Sequence, residues 1–424
     1  MSQRKIYIFN IGIEEKLDIS SNVYSHISNK KLEKAVSSME QMCLLHANID
    51  DVVIFENVVP IEVLESIRKI KDLPTILYCK RGYLLENDKI IIELRNLAKV
   101  SELCLYPYAI TEEINKFAEK LGCNCFGAER KLSKMLNDKC FTKKMSIELG
   151  LPSIHGCITN DISKIKAFAL DSFKSNRKIV IKRSYGASGK GLYIFSNLKQ
   201  LNRFLRKIGN QLLEEVIVET WLDNSTSINY QLVISPSGVV INEPTIQLVQ
   251  NGVYRGSIFG KGICESEHLN CRLQHYINKI VKRLEVLGYE GIVSIDAIIS
   301  ERGEIYPCIE INARFSLSTY LNKIPELFGP GFVFSTMYFD LASKDDAEKV
   351  MKILFLYGYD PLRKQGMSLF VYSKPEINVI GRVFVLFIAK CKITLLNYMT
   401  IFLDLSGKMS GNIKKILKEV YKNV

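Results

Sequence analysis

Apolar and polar positions alternate along this chain at two different periods, and the changes of period mark its parts. In residues 1–125, short apolar runs at 6–10, 52–55, 75–79 and 103–106 read as strands. Segments 32–45, 61–71 and 112–121 carry apolar residues at helical spacing between and after them. This βαβ rhythm predicts a small parallel sheet. No Gly-x-Gly-x-x-Gly follows the first strand, so no dinucleotide site is expected there. Residues 130–149 read as one helix, stopped by Gly150 with Pro152 just beyond. Strands at 178–183 and 192–196 then flank a glycine loop, followed by a helical stretch at 198–208 and a strand at 216–220. A hairpin is predicted from 230–234 and 239–242 around Ser235-Pro236-Ser237-Gly238, and 269–287 is a long helix leading to Gly288.

Beyond Gly288 lie two strands joined by a turn at Glu301-Arg302-Gly303. In the first, Asp296 interrupts an otherwise apolar run that includes Ile295, Ala297 and Ile299. In the second, Glu310 and Asn312 sit two residues apart, which puts both side chains on one face of the sheet. Ionised carboxylates on core strands need a counter-charge, because burying one unpaired is very unfavourable. A hard cation such as Mg2+ suits converging oxygens, with phosphate and water completing its shell. A structural pairing with lysines is the other reading.

Composition narrows the setting. A chain of 424 residues is expected to form two to four domains, and 47% hydrophobic with 24% charged residues is ordinary for a globular protein. The eleven cysteines are odd in number and scattered through apolar segments, and the first residues run directly into a strand with no signal peptide. Both features predict free thiols in a reducing cytoplasm. Cys123-Asn124-Cys125 is too closely spaced for a zinc half-site.

The net charge of +12 is uneven: from Pro361 to Val424 there are eleven Lys/Arg against three acids. This predicts a local basic surface in 361–424, for which a membrane surface or an acidic partner are the candidate contacts. No nucleic acid is expected, since no binding motif accompanies the charge. Residues 379–403 are strongly apolar but carry Lys390 and Lys392, so a buried strand or helix is expected rather than a membrane span. Residues 413–424 read as an amphipathic helix docked on its own domain. The sequence is compatible with a homo-oligomer.

The loop Gly186-Ala187-Ser188-Gly189-Lys190-Gly191 lets backbone N–H groups approach phosphate oxygens, and Lys182 on the preceding strand adds a charge. It is no Walker A loop, because Lys190 is followed by Gly191 and the spacing is short. A plain flexible turn is the bland reading. Asn137-Asp138-Lys139, a helix ending in Leu149-Gly150-Leu151-Pro152, Ile181-Lys182 with the glycine loop, Val218-Glu219-Thr220-Trp221-Leu222, and Asp296 with Glu310-Ile311-Asn312-Ala313-Arg314 follow in that order. This series, over about residues 1–330, resembles the ATP-grasp superfamily, of the carboxylate–amine or peptide ligase type.

The resemblance implies α/β and α+β architecture: a Rossmann-like pre-ATP-grasp domain (1–128), then two α+β subdomains that grip ATP. These are a small subdomain with glycine flap and adenine hinge (129–222) and a large one with the metal site (223–330), before a basic C-terminal region (331–424). It implies that Lys139 and Lys182 hold the ATP phosphates, with Gly186, Ser188, Gly189 and Gly191 in the flap. Glu219, Trp221 and Leu222 then belong to the adenine hinge. Asp296, Glu310 and Asn312 become ligands of two Mg2+ ions, for which Mn2+ can substitute. Arg314 is expected near the transferred phosphate and the substrate carboxylate. Asp223 is the only acid near the place where members bind ribose, and its register looks early, so ribose recognition stays unassigned.

The implied activity joins a carboxylate to an amine (of an amino acid, a small acid or a peptide) through an acyl phosphate, releasing ADP and phosphate. Arg314 and Lys182 would be the catalytic residues. Phosphoryl or carboxyl transfer and a non-catalytic nucleotide-binding recruitment module are the competing readings. The absence of a biotinyl-carrier segment weighs against a self-contained carboxylase. Arg255 and Lys261, on an expected loop at 251–261, are candidates for holding a substrate carboxylate.

Overall fold

The computed structural model describes residues 3–11, 30–80, 82–186, 191–208, 214–250, 252–260 and 267–407, with strands in three sheets. The first sheet contains β1 (Gln3–Ile8), β2 (Val52–Phe55), β3 (Thr75–Tyr78), β4 (Glu102–Pro107) and β5 (Asn124–Cys125). They lie in the order β3-β2-β1-β4-β5, all parallel. This is the Rossmann-like layer that the βαβ rhythm predicts. β1 starts before its apolar run because Gln3, Arg4 and Lys5 already pair with Glu102, Leu103 and Cys104. The helix expected at 32–45 is broken into alternating 3-10 and α turns. There the Ser37 and Ser38 hydroxyls bond back to the carbonyls of Lys34 and Ala35, competing with regular helix. Helices Asp88–Ala98 and Ile162–Lys174 were not anticipated.

The single helix expected at 130–149 is two, Arg130–Leu136 and Lys139–Glu148. Asp138 makes the break: its carboxylate accepts from the N–H groups of Cys140 and Phe141 and caps the second helix, a contact typically worth about 1 kcal/mol. The break puts Lys139 in the first turn of the new helix, where its backbone N–H bonds the Ser184 carbonyl at 2.9 Å.

The second sheet comprises β6 (Gly156–Thr159), β7 (Ile179–Arg183), β8 (Leu192–Phe195) and β9 (Val216–Thr220), antiparallel in the order β6-β9-β7-β8. Ile179, Ile181, Val216 and Val218 pack on Ile165, Ala169, Leu201 and Leu205 of two covering helices. The glycine flap joins β7 to β8.

The third sheet is antiparallel and large. It contains β10 (Thr226–Ser235), β11 (Gly238–Ile241), β12 (Thr245–Gln250), β13 (Val253–Phe259), β14 (Gly291–Ile299) and β15 (Ile305–Asn312). β16 (Val333–Leu341), β17 (Gly366–Ser373) and β18 (Gly381–Ala389) complete it. The order is β15-β14-β10-β12-β13-β16-β18-β17, with β11 paired to β10 in the predicted hairpin. Residues 253–259, expected in a loop, are therefore a strand. Its partner β16 lies so close that a Cβ on Gly256 would meet the Thr336 carbonyl at 1.8 Å. Sheet pairing also runs without a break from β13 into β16–β18, past residue 330.

The apolar stretch 379–403 resolves into β18, buried at every position, and the helix Lys392–Leu405 packed on it through Phe402 and Leu403. No described helix is long and apolar enough to cross a membrane. Every described cysteine is a free thiol. One hydrophobic core joins Tyr7, Val53 and Phe55 of the first layer to the third sheet, so these two units hold a fixed relation around the cleft. The amphipathic segment 413–424 lies outside the described residues.

Candidate functional site

The cleft is built from the second and third sheets with the helix Lys139–Glu148 between them. On the second sheet, Lys182 of β7 and Glu219 of β9 form an ion pair, and the ammonium of Lys143 reaches the other Glu219 oxygen at 2.9 Å. Lys143 is one helical turn beyond Lys139 and also donates to the Ile154 carbonyl at 2.8 Å. Glu219 is only 3% exposed. Burial alone would push its carboxyl up, but the adjoining Lys182 and Lys143 charges outweigh burial and hold it below its ordinary value.

Lys139 links the two sheets. Its ammonium lies 2.8 Å from the carbonyl of Gly186, where the flap begins, and 2.9 Å from Glu310 Oε1 on β15. Gly186 has φ 142°, a backbone conformation that favours glycine, and this lets the chain turn off β7 directly over Lys139.

On the third sheet, Asp296 of β14 stands opposite both Glu310 of β15 and Asn229 of β10. Asn229 Nδ2 and Gln247 Nε2 donate to Asp296 Oδ1 at 2.8 and 3.0 Å, and Asn312 Nδ2 approaches Oδ2 at 3.4 Å. Burial and then the negative charge of Glu310 push the Asp296 carboxyl up to about 6, against the amide donors and Lys139. Behind it runs a buried polar chain: Gln231 donates to Asn229 and Ser316 and accepts from Thr319.

Arg314 follows β15, donates from Nη2 to Asn312 Oδ1 and from Nη1 to the Phe315 carbonyl, both at 2.9 Å, and lies 5.0 Å from the Tyr108 ring centroid. Tyr108 comes from the first layer. A cavity of about 200 Å3 opens on these groups and continues to Tyr254 and Tyr338.

Asp296, Glu310 and Asn312 offer only oxygen and amide donors, and a raised carboxyl beside a second carboxylate is a place where a hard cation neutralises charge. The set fits Mg2+. Among the described residues no three His, Cys, Asp or Glu side chains converge, in keeping with an ion that takes one or two carboxylates and completes its shell with phosphate and water. The Asn312 oxygen is engaged by Arg314 here.

The expected site residues divide into groups. Lys139, Gly186, Glu310, Asp296, Asn312 and Arg314 form one chain of contacts around the cavity. Lys182 and Glu219 adjoin it on the second sheet. With its carboxylate clasped by two lysines, Glu219 can meet a base only through the backbone of its segment. Trp221 and Leu222 are half-buried beside it; the Trp221 N–H bonds the Lys178 carbonyl, and the Leu222 carbonyl accepts from Ser225. Asp223 is exposed in an ion pair with Lys178, apart from these groups. Gly191 has φ 80° and opens β8. Ser188 and Gly189 of the flap, and Lys261, lie outside the described residues.

The sequence reading missed Lys143, Asn229, Gln247 and Tyr108. A signal for Asn229 was present: it and Gln231 sit two apart in an apolar strand, the same pattern that exposed Glu310 and Asn312.

A Rossmann-like layer followed by a small antiparallel sheet with a glycine flap and a large one with paired acids defines a nucleotide-gripping enzyme class. A family model for the ATP-grasp domain matches residues 140–318. That stretch is similar in sequence to ATP-grasp domains, and the chain shares their fold. It is 26% identical over 321 residues to a [butirosin acyl-carrier protein]–L-glutamate ligase of Niallia circulans, covering 74% of this chain and 73% of that one. It is 22% identical to a phosphoribosylamine–glycine ligase of Synechocystis sp., covering 54% of this chain and 58% of that one. Its fold is similar to an N5-carboxyaminoimidazole ribonucleotide synthetase in complex with ADP, with TM-score 0.57, 13% identity, and 95% and 96% of the two chains covered. It is also similar to a biotin carboxylase from Campylobacter jejuni, with TM-score 0.56, 13% identity, and 95% and 91% covered.

Proposed function

We propose that this protein is an ATP-dependent ligase that activates a substrate carboxylate as an acyl phosphate and passes the acyl group to an amine, releasing ADP and phosphate. The observation that carries this reading is the position of Lys139, bonded at once to the start of the flap and to Glu310. An ammonium shared between a flap carbonyl and a carboxylate is poised to exchange both for phosphate oxygens. Lys182, held by Glu219, is a second cation of the same kind.

Mg2+ held by Asp296 and Glu310, with Mn2+ as a substitute, would neutralise charge on the phosphates. The residues themselves account for the rest. Lys139 and Lys182 orient the terminal phosphate and balance its charge. The flap covers the phosphates and excludes water, which would otherwise hydrolyse an acyl phosphate. Arg314, fixed by Asn312, the Phe315 carbonyl and the Tyr108 ring, is a rigid donor for the oxyanion that forms when the amine attacks.

No side chain is assigned as general base. The similarity to a glutamate ligase supports an amino acid as one substrate. Oxygen transfer tests the reading. With the protein, Mg2+, ATP, an amine and L-glutamate labelled with 18O in its carboxylates, the released phosphate should carry label. Turnover that depends on bicarbonate and leaves the phosphate unlabelled would instead support carboxyl transfer.

A further inference from the structure

Strands β7 and β9 turn one face to the helices that cover the second sheet, through Ile179, Ile181, Val216 and Val218. Lys182 and Glu219, each one residue further along, fall on the opposite face, toward the cleft. The two lysines that meet on Glu219 are bound unequally. Lys143 donates to Glu219 Oε2 at 2.9 Å, to the Ile154 carbonyl at 2.8 Å and to Ser153 Oγ at 3.3 Å. These contacts use all three of its ammonium protons. The Lys182 ammonium touches only Glu219 Oε1 among the described residues and keeps protons to spare. Both lysines are buried with Glu219, so the group sets two positive charges against one negative where little water reaches.

We propose that Lys143 is a positioning residue: it keeps Glu219 neutralised when Lys182 turns to the nucleotide phosphates, and so permits Lys182 to bind them. This rests on the nucleotide-binding reading above. A phosphate oxygen can draw Lys182 away only if Glu219 keeps a counter-charge, because a buried carboxylate left alone is strongly disfavoured. Lys143 supplies that charge, and its bonds to Ser153 and Ile154 hold it in place while Lys182 moves. Its own charge also repels Lys182 across the shared carboxylate, which eases the exchange. Afterwards Glu219 and Lys143 remain as a neutral pair and Lys182 faces phosphate. Without Lys143, Lys182 and Glu219 would neutralise each other, and phosphate could take the lysine only by stranding the carboxylate.

Calorimetric titration of the full-length protein with adenosine, and with the Mg2+ complex of a non-hydrolysable ATP analogue, tests this. The ratio of the two affinities isolates what the phosphates contribute. Lys143→Met should lower that ratio at least about tenfold, while adenosine binding stays near the wild-type level and reports that the variant is folded. Lys143→Arg, which keeps the charge, should retain most of the ratio. Adding Glu219→Gln to Lys143→Met removes the charge that would be stranded and should recover most of the loss, a rescue that a merely structural role for Lys143 would not give. An unchanged ratio in Lys143→Met, an equal loss of adenosine and analogue, or no recovery in the double variant would each overturn the proposal. Lys182→Met separates the proposal from the reading beneath it. If Lys182→Met lowers the ratio and Lys143→Met does not, the proposal alone falls. If Lys182→Met leaves the ratio unchanged, the assignment of Lys182 to phosphate falls and the proposal with it.

Discussion

Glu219, buried, and Asp296, half-buried on the cavity wall, are carboxylates on antiparallel strands of the cleft, and their surroundings drive them in opposite directions. Glu219 is clasped by Lys182 and Lys143, which keep it ionised in spite of burial. Asp296 receives only neutral amides at hydrogen-bond distance and faces Glu310, and its carboxyl is pushed up to about 6. The first is a completed ion network. The second has more negative charge than its own residues balance, since Lys139 pairs with Glu310 and must serve the flap as well. The contrast separates a carboxylate that holds lysines in place from one that awaits a cation.

The largest expected effect is on turnover. Glu310→Gln should lower ADP release by about 100-fold or more at saturating Mg2+. A loss of only a fewfold in a steady-state ADP assay would remove Glu310 from the metal set. Next is stability at the completed network. Glu219→Gln leaves two buried ammonium groups without their counter-charge and should destabilise the fold by about 3–5 kcal/mol, read from urea unfolding at neutral pH. A depressed carboxyl contributes stability above its unfolded value and loses it as pH falls through the folded one. The full loss is therefore expected at neutral pH and less of it in acid.

The Asp296 variant should do the reverse. A carboxyl raised from 3.8 to about 6 disfavours folding once pH rises through that interval. Asp296→Asn should accordingly stabilise the metal-free protein at pH 7.5 by about 1–3 kcal/mol, and the gain should shrink through pH 6 and vanish near pH 4. A gain that does not change with pH would assign it to hydrogen bonding instead. The smallest effect concerns the link between the regions. Asp138→Ala removes the cap that starts the Lys139 helix and should destabilise by about 1 kcal/mol in the same unfolding assay.

The two regions were unequally legible. Glu310 and Asn312 on β15 and the acid inside β14 stand out because polar residues in apolar strands contradict burial. Their cross-strand register was not legible: counted back from the turn at Glu301–Gly303, Asp296 would face Cys308, and an irregularity between Asp296 and Ile298 sets it opposite Glu310 instead. The clasp around Glu219 was hidden, since Lys143 reads as an ordinary polar position on a helix and meets β9 only through the fold. Its helix was also read through Asp138, because apolar spacing continues across the break and only the cap interrupts it. The strands β12, β13, β16 and β17 escaped notice because buried strands with serine, threonine and glutamine lack clean alternation. The carboxylate partners Asn229 and Gln247 come from strands that pair at long range, which local pattern does not reveal.

The central claim is that Asp296 and Glu310 await a cation that arrives with the nucleotide. Thermal unfolding of wild type and Asp296→Asn, each with ADP alone and with ADP plus Mg2+, tests it most directly. Binding to the folded state alone raises stability by mass action, about 2.7 kcal/mol at a hundredfold excess over Kd. Mg2+ should raise the melting temperature of the ADP-bound wild type and leave that of Asp296→Asn unchanged. An equal Mg2+-dependent rise in both proteins would contradict the account.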